Sequence, residues 1–272
     1  MTRLIAALFL FSTMAVGSAS AQPFAPNGEG VTMGHWHLNS RDVEAQKKMF
    51  VGMGGVAGPP GDLQRVVFPG VVVILNLRAP AAPATGGTDG SVVNHVGFTV
   101  QNVQEAVAKW KAAGVPVQPG ANNRQDQAWV TTPDGLRIEI LENKTQKFPI
   151  QHEHVHFVVP EAAIPEIQAW YGKIFGAKAS VRNNNPVADV PGTQLRFNKA
   201  ASALVTTKGR VLDHIGFDVV DLQAFIKKLE ANGVKLDRPY TQQAPGAALA
   251  FITDPWGTYI ELNQRPNPAY IN

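Results

Sequence analysis

His35-Trp36-His37-Leu38, His95-Val96-Gly97-Phe98, His154-Val155-His156-Phe157 and His214-Ile215-Gly216-Phe217 follow one plan. In each, a histidine opens a short apolar run that leads into a helical pattern. The second and fourth runs also share an ending, Pro133-Asp134-Gly135-Leu136-Arg137-Ile138-Glu139 and Pro255-Trp256-Gly257-Thr258-Tyr259-Ile260-Glu261. One supersecondary unit therefore occurs four times, with its polar residues at fixed places. A repeat that preserves a histidine and a glutamate points to a repeat that builds a site.

Outward from each histidine, the unit reads as strand, helix, then several strands. In unit two Asn102 can cap a helix over Val103 to Ala113 with Val103, Val107 and Trp110 on one side, ending at Gly114. In unit four Asp221 caps a helix bearing Leu222, Phe225, Ile226 and Leu229, ending at Gly233. Unit one places Asp42 before Val43 to Val51, with Met49 and Phe50 apolar and Gly54-Gly55 beyond. Unit three carries Ile167, Trp170, Tyr171, Ile174 and Phe175 before Gly176. Pro165 fits its first turn, where a backbone N–H has no helical partner.

Side chains alternate across a strand, so residues two apart share a face. Ile215, Phe217 and Val219 then form an apolar face that packs under the helix, while His214, Gly216 and Asp218 look the other way. The same split separates Val96, Phe98 and Val100 from His95, Gly97 and Thr99, and Val155, Phe157 and Val159 from His154, His156 and Val158. It also separates Trp36 and Leu38 from His35 and His37. In the terminal strands Ile138 and Ile140 face the core against Arg137 and Glu139, as Ile260 and Leu262 do against Tyr259 and Glu261. Every repeated histidine and both glutamates thus lie on the face turned away from the helices. If that face curls into a cup, they meet inside it.

The expected fold class is α+β, four βαβββ units grouped along the chain as two domains, residues 31–142 and 152–265. A linker at 22–30 precedes them, the polar segment 143–151 divides them, and 266–272 forms a tail. The first 21 residues read as a secretory signal peptide: Arg3, an apolar run from Leu4 to Phe11, and Ala19-Ser20-Ala21 before Gln22. That places the mature chain in the periplasm or outside the cell. No later segment is long and apolar enough to span a bilayer as a helix. Without Arg3 the 24 Lys+Arg and 21 Asp+Glu leave an excess of only about +2, dispersed through the chain. No nucleic-acid or membrane partner is expected after signal cleavage. With no cysteine there is no disulfide, thiol nucleophile or thiolate ligand, so any metal must be held by nitrogen and oxygen.

Two neutral imidazoles and a carboxylate form a facial set for a divalent ion, leaving positions open to water or substrate. Ordinary polar residues on a solvated sheet face are the alternative, and recurrence at four equivalent places weighs against it. His37 and His156 follow the opening histidines by two residues on the same face. Three roles fit them: acid/base group, bond to substrate, or support of a neighbour. Arg196 fits an anionic substrate or a nearby carboxylate. Tyr259 and Arg137 flank the glutamates; Trp129 and Phe251, one strand before them, read as packing residues. His152, at a strand edge, receives no role.

The βαβββ unit, its opening His and its terminal Gly-x-x-x-Glu resemble the vicinal oxygen chelate superfamily, which includes glyoxalase I, fosfomycin-resistance enzymes, extradiol dioxygenases and bleomycin-binding proteins. The resemblance runs from about residue 31 to 264. It implies paired units around a metal that a substrate chelates through two adjacent oxygens. It assigns as metal ligands His35, His95, Glu139, His154, His214 and Glu261, a His-His-Glu set in each half. Glyoxalase-like members add a fourth ligand in the odd units. Counted from Gly70 and Gly192, that place holds Ile74 and Arg196, and the general base that isomerases of the family use is missing with it. The extradiol signature is also incomplete, with Phe251 at its Tyr position and Gln242, Gln243 and Ala244 where its His would fall.

The expectation is therefore an exported metal-dependent enzyme, with lyase, transferase or oxygenase chemistry on a small oxygenated substrate. His37, His156, Arg196 and Tyr259 are its candidate catalytic residues. The sequence does not choose among Fe, Mn, Zn, Ni and Co, between monomer and homodimer, or between unit one pairing with unit two or with unit four. A sequestering protein of the bleomycin-resistance type is the alternative, and a third option is that one half is catalytic and the other structural.

Overall fold

A computed structural model describes residues 23–61, 63–76, 84–266 and 270. The expected signal peptide lies outside them, as does most of the tail. Unit one comprises β1 (Val31–Leu38), α1 (Val43–Gly52), β2 (Val56–Ala57), β3 (Leu63–Phe68) and β4 (Val71–Asn76). Unit two comprises β5 (Val93–Val100), α2 (Val103–Ala112), β6 (Val117–Pro119), β7 (Gln127–Thr131) and β8 (Arg137–Glu142). Unit three comprises β9 (Ile150–Val159), α3 (Ile164–Phe175), β10 (Lys178–Arg182), β11 (Asn185–Val190) and β12 (Thr193–Lys199). Unit four comprises β13 (Leu212–Val219), α4 (Leu222–Ala231), β14 (Arg238–Ala244), β15 (Ala247–Thr253) and β16 (Tyr259–Gln264).

The helix starts follow from local chemistry. The side chains of Asp42, Asn102 and Asp221 accept from the backbone N–H of Ala45, Glu105 and Ala224 at 2.9, 3.1 and 2.9 Å. Each satisfies a first-turn donor that has no helical partner. α3 has no side-chain cap; Pro165 occupies its first turn and Gly176, at φ 67°, ends it. At that end Asn27 donates to the carbonyl of Phe175 at 2.8 Å, tying the expected linker 22–30 to the fold.

Two eight-stranded mixed sheets result, in the orders β14-β15-β16-β13-β1-β4-β3-β2 and β10-β11-β12-β9-β5-β8-β7-β6. Units one and four share the first sheet; units two and three share the second. The expected grouping by sequence, 31–142 and 152–265, is therefore not the grouping of the sheets. The strand edges decide it. The free edge of β1 takes β13 antiparallel, and that of β5 takes β9, so each sheet draws one unit from either side of the 143–151 boundary. The expected linker is also shorter, because Ile150 and Gln151 already pair with Val100 and Thr99.

The core lies on the apolar sheet faces. Trp36 of the first sheet meets Phe98 of the second with ring centroids 5.2 Å apart. In α3, Tyr171 packs on Phe157 at 5.3 Å and Phe175 on Phe217 at 4.6 Å, so this helix lies between the sheets. All of these rings are buried, leaving the histidine faces to line two separate cups.

Candidate metal centres

Strand register fixes what meets on each polar face. In the first sheet His37 stands opposite His214, His35 opposite Gly216, and Gly216 opposite Glu261. In the second, His95 stands opposite His156, Gly97 opposite His154, and Gly97 opposite Glu139. An odd-unit histidine and an even-unit glutamate thus flank a glycine strand, and the imidazole reaches the carboxylate across it. A Cβ on Gly216 would overlap the His35 ring, and one on Gly97 the His154 ring.

In the first centre Nε2 of His214 lies 2.8 Å from Oε2 of Glu261, and Nε2 of His35 lies 3.4 Å from the same oxygen. His37 joins them: donor atoms of His35, His37, His214 and Glu261 all lie within 4.8 Å of one another. In the second centre His154 and His95 place Nε2 at 3.3 and 3.5 Å from Oε2 of Glu139. One ring nitrogen from each of His95, His154 and His156 lies within 4.8 Å of the others. The pairing of unit one with unit four was one of the two left open by sequence, and it yields a His-His-Glu set in each sheet.

All six of these residues are buried, and Nε2 of His35, His95 and His154 has no hydrogen-bond partner among the described residues. Leaving a buried polar nitrogen unsatisfied costs about 1–3 kcal/mol. Three such atoms aimed at two carboxylate oxygens fit a cation that accepts their lone pairs. The neighbours fix which nitrogen faces the glutamate. Nδ1 of His214 bonds Oδ1 of Asp213 at 2.7 Å, and Nδ1 of His95 bonds Oδ1 of Asn94 at 2.8 Å. Nδ1 of His154 bonds the carboxylate of Glu153. Each pairing puts the proton on Nδ1 and turns Nε2 toward the glutamate.

Protonation follows from the surroundings. Burial raises the carboxyl groups of Glu139 and Glu261, but the imidazoles facing them outweigh it and hold both well below the usual carboxylate range. Burial, reinforced by neighbouring imidazoles, lowers His37 to about 3 and His156 to about 2, so both are neutral at neutral pH. His95 falls to about 4, mainly through burial. His214 moves upward: burial opposes its charge, but Asp213 and Glu261 favour it more strongly.

The remaining candidates separate. His156 is held by Nε2 to Oδ1 of Asn198 at 2.9 Å, leaving a buried Nδ1 without a partner among the described residues. Arg196 pairs with Glu153, its Nη2 lying 2.6 and 2.7 Å from the two carboxylate oxygens, so the carboxylate partner, not a free anion site, is what the structure provides. Tyr259 stacks on Phe251 at 5.0 Å and stands edge-on to His214, while Arg137 lies over Trp129 at 4.8 Å. Phe251 and Trp129 wall the even-unit histidines at 5.3 and 5.0 Å. His152 is buried against Trp36 and bonds the carbonyl of Gly192 at 2.8 Å, outside both centres. Asp213, Asn94, Glu153 and Gln127, which bond the centre residues, escaped the sequence reading. A polar residue directly before both even-unit histidines was the available signal.

The first centre opens on a cavity of about 450 Å³ lined by Leu63, Ile74, Leu249 and Phe251, with His37 and Arg238. The second opens on one of about 450 Å³ lined instead by Arg124, Arg182, Arg196 and several amide side chains.

Residues 153–262 match the family model described as Glyoxalase/Bleomycin resistance protein/Dioxygenase superfamily. The matched segment joins units three and four, one from each sheet. Glyoxalase I from Zea mays is similar in structure at 17% identity and a TM-score of 0.64, covering 86% of this chain and 92% of that one. A candidate dioxygenase from Bacillus subtilis subsp. subtilis str. 168 is similar at 12% identity and a TM-score of 0.61, covering 91% and 87%. No curated protein matches in sequence. Residues 153–262 are thus similar to the Glyoxalase/Bleomycin resistance protein/Dioxygenase superfamily model, in a chain whose fold is similar to that of glyoxalase I.

Proposed function

We propose that the protein is a divalent-metal-dependent enzyme acting on a small substrate with two adjacent oxygens. The observation that carries this reading is the convergence of two buried imidazole nitrogens on one carboxylate oxygen at each centre, with Nε2 of His35, His95 and His154 lacking a hydrogen-bond partner among the described residues. His35, His214 and Glu261 would hold the ion in the first sheet; His95, His154 and Glu139 form the corresponding set in the second. When bound, the ion supplies Lewis-acid stabilisation of an enolate-like or oxyanionic state.

The chain's own residues do the rest. Asp213 keeps His214 oriented with Nε2 inward. Leu63, Ile74, Leu249 and Phe251 exclude water and suit a substrate with an apolar body. His37, held neutral by burial, offers the substrate a hydrogen bond at the cavity wall rather than a stored proton. No carboxylate stands at Ile74 to act as a general base, which favours lyase, transferase or oxygenase chemistry over isomerisation. Each centre draws on one chain, so a monomer suffices. Export to the periplasm or beyond is supported by Arg3, the Leu4 to Phe11 run and Ala19-Ser20-Ala21.

The test is turnover of catechols, 2-hydroxy ketones and phosphonates by metal-reconstituted protein. Consumption of a subset, abolished by chelation and by His214→Ala, is expected. Binding that survives chelation, with no candidate consumed, would make the protein a sequestering module instead.

A further inference from the structure

The two centres come from one repeat, yet they differ at three corresponding places around the glutamate. In the second, Gln127 donates through Nε2 to Oε1 of Glu139. Arg196 places Nη1 3.7 Å from Oε2, the oxygen that the histidines face. Arg196 is itself fixed, by both oxygens of Glu153 and by Oε1 of Gln194, which accepts from Nε at 3.1 Å. In the first centre the register puts Leu249 in the place of Gln127, Ile74 in that of Arg196 and Gly34 in that of Glu153. All three replacements are apolar. Among the described residues no guanidinium pairs with Glu261 within 4 Å, and its ion-pair partners are the imidazoles of His35 and His214.

Building on the metal reading above, we infer that the centres are unequal: the His35, His214 and Glu261 centre takes the divalent ion, and in the other Arg196 is the resident cation. A guanidinium cannot shed its proton in a protein. A dication on Glu139 would face that fixed charge across a buried space, where like charges are poorly screened. Moving Arg196 aside would break both Nη2 contacts to Glu153 and leave that carboxylate without its cation. Arg196 offsets one of the two negative charges of Glu139 and Glu153, so an ion among His95, His154 and His156 would meet a carboxylate that already has a fixed cation beside it. One of those, His156, is already anchored to Asn198.

The test is titration of the metal-free full chain with Co²⁺ alone, followed by equilibrium dialysis and elemental analysis. One tight equivalent is expected, with any second binding ~100-fold or more weaker. His214→Ala should remove the tight ion and His154→Ala should leave it. Arg196→Ile, copying Ile74, should bring the second equivalent into the tight range; Arg196→Gln, which preserves more of the packing, should do the same in part. Two equally tight ions in the unaltered protein, or loss of the tight ion in His154→Ala, would overturn the inequality while leaving the metal reading intact. Binding of no ion would overturn the metal reading and this inference with it.

Discussion

The imidazole of His35 lies over Gly216, and only because that residue lacks a Cβ can the ring reach Glu261 on the strand beyond. Gly97 stands in the same relation to His154 and Glu139. Gly216→Ala should displace the His35 ring and cost about 1–3 kcal/mol of stability through overpacking. It should also weaken tight metal binding at least ~10-fold. Gly97→Ala should carry a similar stability cost and leave the tight ion in place. Thermal melts paired with metal titrations of the two variants check both statements.

Asp213 orients His214 from behind, and it is itself held by the backbone N–H of Gly209 at 2.7 Å and by Asn39 at 3.2 Å. Asp213→Asn copies Asn94 of the other centre. It should leave the fold intact and lower metal affinity by ~10–100-fold, as loss of a carboxylate behind a ligating imidazole does. Competition against a chelator of known affinity measures this directly.

Acid should unfold the metal-free protein early. His37, His95 and His156 have folded values near 3, 4 and 2, below the 6.5 of an unfolded histidine. Below 6.5 the unfolded chain therefore binds protons that the folded chain refuses, so stability falls as pH drops from 6.5 toward 3. Glu139 and Glu261, depressed in the folded state, add the same trend below 4.5. His214, raised, opposes it: its contribution is full below 6.5 and is lost as pH rises through its folded value. The melting temperature of the apoprotein should drop steadily between pH 6.5 and 4. A flat profile across that window would contradict the neutral state assigned to His37 and His156.

The mature chain should begin at Gln22, because Ala19 and Ala21 present the small side chains that signal peptidase needs. N-terminal sequencing of the exported protein checks it. Retention of Met1 would remove the periplasmic assignment.

The helices and the polar faces were legible because their signals are local. Asp42, Asn102 and Asp221 announce helix starts through their own side chains, and period-two alternation alone puts His214 and Glu261 on the face opposite Ile215 and Ile260. The pairing of unit one with unit four was not legible. β1 and β5 present similar free edges, and nothing local to either tells it to take β13 or β9. Unequal halves were left open by the sequence, but which centre differs was hidden for the same reason. Gln127, Glu153 and Arg196 lie on three different strands, and only the register gathers them around Glu139.

Cobalt substitution tests metal-borne recognition of vicinal oxygens most directly. The visible spectrum of the Co²⁺ protein should shift when a catechol, 2-hydroxy ketone or phosphonate is added, because an ion held by His35, His214 and Glu261 would act as a Lewis acid toward two adjacent oxygens. The same compound should bind the metal-free protein far more weakly, and His214→Ala should abolish the shift. An unchanged cobalt spectrum, together with equal binding to the metal-free chain, would contradict a chelating site.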